Sequence, residues 1–400
     1  MVLDYGTNST GENSDVINVE AANPTDEPEI TLQWVKEKAQ SGHELFREFR
    51  SKAEELDDFY LNNFDFSVPE NGTLIRLGTA QSVINTLVAH VSPQFLDISV
   101  PPPGARGQAR AELMEKFLTG AHHMIEHRTP VYREITKHAG LYGIGWEKIE
   151  FTANEWSDFP EAPPHEEEAS AEYREQVREV LDKRSVSWPI KSVAVNPQNL
   201  IWDLNNGTQP RWVIYEYQVD AEWVQAHFPE WNVHKKGYVT FQEVWTASQV
   251  GYLADDKWVL EPRRHGYGKL PWIMYWPQMG LDTGNSEPET LYMGLLNGSI
   301  DMLRAQSQLA SHYIDIVGKS AWPTLEFTGP PGITEEVQAA WDDTPGAKNI
   351  KPPQVNVNAS DTPRPPSEIG IAKQFLDEAI EANTVPAVAR GQRPMGAASG

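Results

Sequence analysis

Residues 286–317 read SEPETLYMGLLNGSIDMLRAQSQLASHYIDIV, and the way this stretch folds decides how the rest of the chain is placed. A capping box is written at its start. Ser286 and Glu289, three apart, are the pair whose hydroxyl and carboxylate satisfy free N–H groups at a helix N-terminus. Gly318 and Pro323 mark the stop. Between them Tyr292, Leu296, Ile300, Leu303, Ala310, Ile314 and Val317 recur at helical steps, while Asn297, Asp301, Arg304 and Gln308 lie off that line. The pattern predicts one two-faced helix of roughly thirty residues, about 45 Å long at 1.5 Å per residue. Gly294 and Gly298 each cost about 1 kcal/mol against alanine in a helix, so their presence predicts the close approach of another backbone.

Upstream, residues 1–29 carry seven acids, no base and few large apolar groups, and are expected to be a disordered acidic tail. Apolar residues from Leu32 to Tyr60 step by three or four, with a gap at Gly42, and predict a first amphipathic helix. Further helices are expected over 75–91, over 105–128 with Met114, Phe117, Leu118, Ala121 and Ile125 as the core face, and from Pro130 into the Gly140–Gly145 run. Trp146 to Phe151 alternates as a strand, and a charged helix follows near 166–184. Short strands are predicted at 192–195, 199–203, 212–217, 239–245 and 257–260, with one short helix at 221–228. Beyond the long helix come a strand at 324–327, a helix at 334–341, a loop at 351–366 with five prolines, and a helix at 367–383 facing inward through Ile369, Ala372, Phe375, Leu376, Ala379 and Ile380. The class is α+β.

Composition narrows the function. There are 33 Lys and Arg against 57 Asp and Glu, a net charge of −24, which opposes a fixed grip on a phosphate backbone. With no cysteine there is neither a disulfide framework nor a thiolate metal site, and a cytoplasmic setting is expected. No run of eighteen apolar residues predicts a membrane span.

The sharpest catalytic pattern is His123-Met124-Ile125-Glu126-His127, the H-x-x-E-H arrangement of inverted zinc peptidases. Both histidines fall opposite Leu118, Ala121 and Ile125 at 100° per residue, and no third ligand stands out, so solvated or intersubunit histidines are the better account. Gly266-Tyr267-Gly268-Lys269 lacks the spaced glycine of a phosphate loop, Gly140, Gly143 and Gly145 do not form a dinucleotide fingerprint, and no serine sits in a nucleophile elbow. The acid pairs Asp57-Asp58, Asp255-Asp256 and Asp342-Asp343 read as solvated surface before they read as a nuclease site. No enzyme activity, cofactor or metal is expected.

The order of elements resembles that of a tailed-bacteriophage portal protein. The resemblance covers most of 30–400 and rests on His138 to Trp146, on Val195-Asn196-Pro197-Gln198-Asn199-Leu200-Ile201-Trp202-Asp203 with Arg211-Trp212-Val213, on Leu270-Pro271-Trp272-Ile273 before the long helix, and on a second helix ending near Ala398-Ser399-Gly400. It implies a homo-oligomeric ring, usually of twelve, at one capsid vertex of the virion, through which double-stranded DNA is packaged and ejected. Its implied partners are the terminase large subunit, a head-to-tail adaptor and the major capsid protein. It divides the chain into a wing (30–218), a short stem helix (219–231), a clip (232–270), the strand, linker and long stem helix (271–318), a wing return (319–350), a tunnel loop (351–366) and a tunnel helix with the start of the next wing segment (367–400). It further implies that Tyr292, Gly294, Leu296, Gly298, Ile300 and Leu303 pack the stem, that Trp245, Arg263 and Arg264 belong to the clip, and that Asn358, Asp361 and Arg364 sit on a mobile tunnel loop. In the family the Ser-Gly segment usually opens a further wing helix and crown, so the resemblance implies that this chain is truncated or is only part of the gene product. Another phage head-completion protein is the nearer alternative, and the zinc peptidase the remoter one.

Overall fold

The computed structural model describes residues 28–69, 72–92, 98–102, 107–151, 170–187, 189–204, 209–231, 236–283, 287–321, 325–342, 349, 351–359 and 367–384. Expectations for the acidic tail, the Ser286 cap, Glu166 to Glu168, Asp361, Arg364, the His127 side chain and the segment beyond Thr384 lie outside them.

The chain is α+β. It runs α1 (Leu32–Leu45), α2 (Arg47–Tyr60), α3 (Thr79–Val91), α4 (Gln108–Arg128), α5 (Val131–Tyr142), β1 (Gly145–Phe151), α6 (Ala171–Ser187), β2 (Ile190–Val195), β3 (Leu200–Trp202) and β4 (Trp212–Asp220). It continues with α7 (Ala221–His227), β5 (Tyr238–Thr246), β6 (Gln249–Ala254), β7 (Lys257–Arg264), β8 (Trp272–Tyr275), α8 (Pro288–Leu291), α9 (Ile300–Ala321), β9 (Leu325–Thr328), α10 (Ile333–Ala339), β10 (Asn356–Ala359) and α11 (Ser367–Asn383). Among the described residues no helix is long and apolar enough to cross a membrane. The predicted helix over 32–60 is two helices, broken at Phe46.

Two compact units form. The first joins Pro210–Leu270 to Met1–Gln40, of which 28–40 is described. Here β4, β5, β6 and β7 make an antiparallel meander, β4 matching β5 from Trp212↔Thr246 to Asp220↔Tyr238. Strand β6 has no counterpart in the sequence reading, because Gly251 interrupts its alternation. A Cβ there would lie 2.8 Å from the Trp258 ring. Asp255 and Asp256 take φ of +47° and +62° at the β6–β7 turn, the conformation a tight hairpin needs and one that Asp tolerates. Asp255 also accepts the Thr240 N–H at 3.1 Å, so this acid is a turn-former and not merely solvated surface. Asp220 caps α7 by accepting the Glu222 N–H at 2.9 Å, and α7 lays Ala221 and Val224 against Val239, Phe241 and Ala254.

The second unit is Ser41–Gln209 with Pro271–Gly400. Its three-stranded sheet has the order β2-β1-β8, antiparallel throughout, and the N-terminal half of β1 is buried on both faces. One face carries an aromatic core in which Trp202 meets Phe46 at 4.3 Å, Trp146 at 5.2 Å and Tyr292 at 5.5 Å between ring centroids. The helix α5 stops at Gly143, whose φ of +76° gives a left-handed cap.

The predicted thirty-residue helix is not continuous. Pro288–Leu291 forms one turn, Tyr292 leaves helical geometry at φ −106° and ψ 90°, Asn297–Ser299 makes a 3₁₀ turn, and only α9, of 22 residues, is a long helix. The cause is a backbone crossing. Leu295 N–H donates to the Gly140 carbonyl at 2.7 Å, and a Cβ on Gly294 would lie 1.7 Å from the Leu141 carbonyl oxygen. Gly294 does admit a second backbone, and that backbone is the chain's own. Gly298 meets nothing within 4 Å.

Candidate functional site: two faces of the long helix

The face of α9 that turns inward is its polar one. Ser307 and Ser311 are fully buried and Gln306 nearly so, whereas Tyr313, Ile314 and Val317 are 44%, 45% and 37% exposed. This corrects the expectation that Ile314 and Val317 complete a buried apolar stripe. Tyr292, Leu296 and Leu303 are buried as expected, Ile300 and Ala310 are half-buried, and Gly298 is exposed.

The physical reason lies in what packs there. The Ser307 hydroxyl accepts the Leu77 N–H at 3.1 Å, Ser311 accepts that of Ile75 at 2.9 Å, and Asp315 accepts that of Thr73 at 2.9 Å. Side chains four apart on a helix are about 6 Å apart along its axis, and alternate residues of an extended chain are spaced by about 6.7 Å. The two repeats match closely enough for three successive bonds. The acceptors are short side chains, two serine hydroxyls and one aspartate carboxylate, which keep the segment close to the helix. Apolar side chains here would leave these N–H groups without partners. At the head of the ladder Thr79 donates to Gln306, which donates in turn to Asp377 on α11. Arg304 pairs with Glu55 of α2 at 2.7 Å, and Gln308 donates to the Ser67 carbonyl at 3.2 Å. Arg304 and Gln308, read as lying off the apolar line, therefore help to fasten the helix to its own chain.

Outward-facing apolar side chains recur elsewhere in this unit. On α11, Ile380 is buried but Ile371 and Phe375 are each 68% exposed, contrary to the inward face read for Phe375. On α4, Leu113, Met114, Phe117 and Leu118 are exposed, and the buried side is formed by Ala111, Ala121 and His122. The core face read for α4 is thus correct at Ala121 and in part at the half-buried Ile125. Its length and period are visible in sequence, but which side meets the protein is not.

The remaining sequence candidates are dispersed. Trp245 is buried in the first unit, where its indole donates to Glu243 at 2.9 Å, while Arg263 and Arg264 are exposed on β7 opposite Val250 and Gln249. Asn358 is not on a loop. It pairs with Glu326 in the β9–β10 ribbon, and Val355 just before it is fully buried, so the start of the proline-rich segment is packed structure.

His123 is exposed on α4. Glu126 accepts the Tyr132 N–H at 3.1 Å across the α4–α5 turn, a structural use for the acid of the H-x-x-E-H pattern. Its neighbour His122 is buried, stacks on Tyr132 at 5.0 Å, and is pushed below the usual histidine range by burial.

Three polar groups, Glu147 buried and Asp57 and His138 half-buried, were not legible as structural. Asp57, read as solvated, accepts the Tyr142 hydroxyl at 2.5 Å and the Gln198 amide at 2.7 Å, joining α2 to α5 and to the turn before β3. Burial and the Asp57 charge push the Tyr142 phenol up. Glu147, buried on β1, accepts hydroxyls from Ser192 and Tyr275 on the two flanking strands. Burial and this carboxylate push Tyr132 up to about 12 and keep Tyr275 protonated. His138 is pushed down to about 4 by burial, its Nδ1 lacking a hydrogen-bond partner. Each carboxylate is engaged by donors from separate elements, an arrangement that holds elements together. Among the described residues no group of three His, Asp or Glu is placed to hold a metal ion.

No protein-family model matches this chain, and no curated protein matches it.

Proposed function

We propose that this chain is a portal-type ring protein, which assembles as a homo-oligomer, usually of twelve in the family it resembles, at a capsid vertex and passes double-stranded DNA through its centre. The observation that carries the reading is α9. It is bound to its own chain through serines, Gln306 and Asp315, and it leaves Tyr313, Ile314 and Val317 outward. Apolar residues left outward on a helix mark a surface that other protein covers. A ring also suits the charge. At −24 per chain, copies around a channel repel phosphate and let DNA slide instead of binding it.

On this reading the protein performs no catalysis, sits in the virion, and meets a terminase large subunit, a head-to-tail adaptor and the major capsid protein. The test is sedimentation with negative-stain imaging of the purified chain. Closed rings with a central channel are expected; a monomer throughout the micromolar range overturns the reading.

A further inference from the structure

The helix α4 is attached to its unit by little apolar surface. Its large apolar side chains Leu113, Met114, Phe117 and Leu118 are exposed, and the positions it buries are two alanines, Ala111 and Ala121, and one histidine, His122. Met124 and Ile125 add half-buried groups. An alanine methyl takes little area out of water, and elements with few buried apolar contacts open at a small fraction of the global unfolding free energy. For a helix of 21 residues this is a light fastening. Thr129, extended at φ −150° and ψ 125°, and Pro130 lie between α4 and α5, so α4 can move without unwinding α5.

His122 is the largest side chain α4 buries. It is 7% exposed and lies flat on Tyr132 of α5, the ring centroids 5.0 Å apart and the planes 17° from parallel. Tyr132 is itself fixed. Its N–H donates to Glu126, and its ring meets Tyr275 of β8, whose hydroxyl donates to Glu147 of β1. Two carboxylates, Glu126 and Glu147, and the face of Tyr132 favour a proton on His122, while His123 opposes it. No charged group of the described residues of α6 or β2 enters this set. Burial outweighs the carboxylates and holds the ring below the usual histidine range. An imidazolium needs an acceptor at each N–H, and among the described residues Nε2 is buried without a hydrogen-bond partner.

We infer that α4 is held in place by the neutral ring of His122 and is released when that ring takes a proton, which makes the helix an arm freed by acid. The sign follows from burial. A released helix binds the proton at the ordinary value of about 6.5, so the hold is complete above that pH and weakens as the pH falls below it. What is freed is a helix whose outer side already carries Leu113, Met114, Phe117 and Leu118. The switch does not depend on how copies associate.

Hydrogen exchange of the full chain at pH 7.5 and 5.5, corrected for the intrinsic rates, reads the opening of each element. Amides of 111–126 are expected to lose protection at pH 5.5 by up to about tenfold, the limit set by a free histidine of ordinary value at that pH. Strand β1 is expected to keep more of its protection. His122→Phe retains a flat ring without a proton to gain, and His122→Gln retains a polar group without one; in both, the loss in α4 is expected to disappear. His138→Gln is expected to leave it in place. Protection of α4 that does not change with pH in the unaltered chain overturns the inference. So does a loss that persists in the His122 variants, or one that His138→Gln abolishes.

Discussion

The hydroxyl of Ser311, a side chain with no solvent access, accepts the N–H of Ile75 at 2.9 Å. Replacing Ser311 by alanine strands that donor without water to replace its partner. The expected cost is about 1–3 kcal/mol of stability. Ser311→Ala should lower the urea midpoint with little change in slope, whereas Tyr313→Ala, on the exposed face, should leave it within about 0.5 kcal/mol.

Gly294 and Gly298 are expected to behave oppositely. A methyl on Gly294 would lie 1.7 Å from the Leu141 carbonyl oxygen, so Gly294→Ala must push the crossing backbones apart and should cost about 3 kcal/mol or more, or prevent folding. Gly298 has nothing within 4 Å, and Gly298→Ala should be neutral or stabilise by up to about 1 kcal/mol. Thermal melts of the two variants side by side decide it.

His138 makes stability depend on pH. Its folded-state value of about 4 lies below the ordinary 6.5, because burial opposes the charge more than Glu134 and Asp57 favour it, with Lys137 adding to the opposition. The unfolded chain therefore binds the proton first. Stability from this group is complete above about pH 6.5 and is lost as the pH falls toward 4, by roughly 2–3 kcal/mol. Unfolding curves at pH 7.5 and 5 should show the loss, and His138→Gln should flatten it. An unchanged slope in that variant excludes His138 as the source.

The Tyr142 hydroxyl and the Asp57 carboxylate join two helices by a bond to a charged group. Tyr142→Phe should cost about 1.5–3 kcal/mol, since such bonds are stronger than neutral ones and the carboxylate loses a donor. Chemical denaturation of Tyr142→Phe and Asp57→Asn, singly and together, should give non-additive losses.

Duplex DNA should bind the protein weakly at physiological salt, with a shallow dependence of affinity on salt. Few cations are available to displace counterions from a chain of net charge −24. Fluorescence anisotropy with a labelled duplex measures both, and sequence-specific binding tighter than micromolar contradicts the expectation.

The sequence was most informative where one physical signal dominated. Gly143 ends α5 and turns the chain into β1 as its position suggested, and Ser367–Asn383 has the bounds its periodicity predicted. It was least informative where partners distant in sequence set the outcome. The break at Tyr292 needs knowledge that Gly140 and Leu141 cross there. The burial of Ser307 and Ser311 needs knowledge that the 73–77 segment is hung on them, since a serine at helical spacing looks the same whether it faces water or a backbone donor. The exposed stripe of α4 shows the same difficulty in reverse: period reveals that a helix has an apolar side, not what covers it. For the same reason Asn358, set among prolines and turn-formers, gave no sign of its pairing with β9, nor Val355 of its burial.

Three bonds about one helical turn apart also act as a key in a slot. Apolar contacts are not directional, so hydrogen bonds add an orientation that apolar packing alone defines less sharply. Rolling α9 by even a fraction of a turn would pull Ser307, Ser311 and Asp315 off their donors together. The direction in which Tyr313, Ile314 and Val317 point is thereby set before any other copy arrives, and the entropy of choosing it is lost at folding rather than at association.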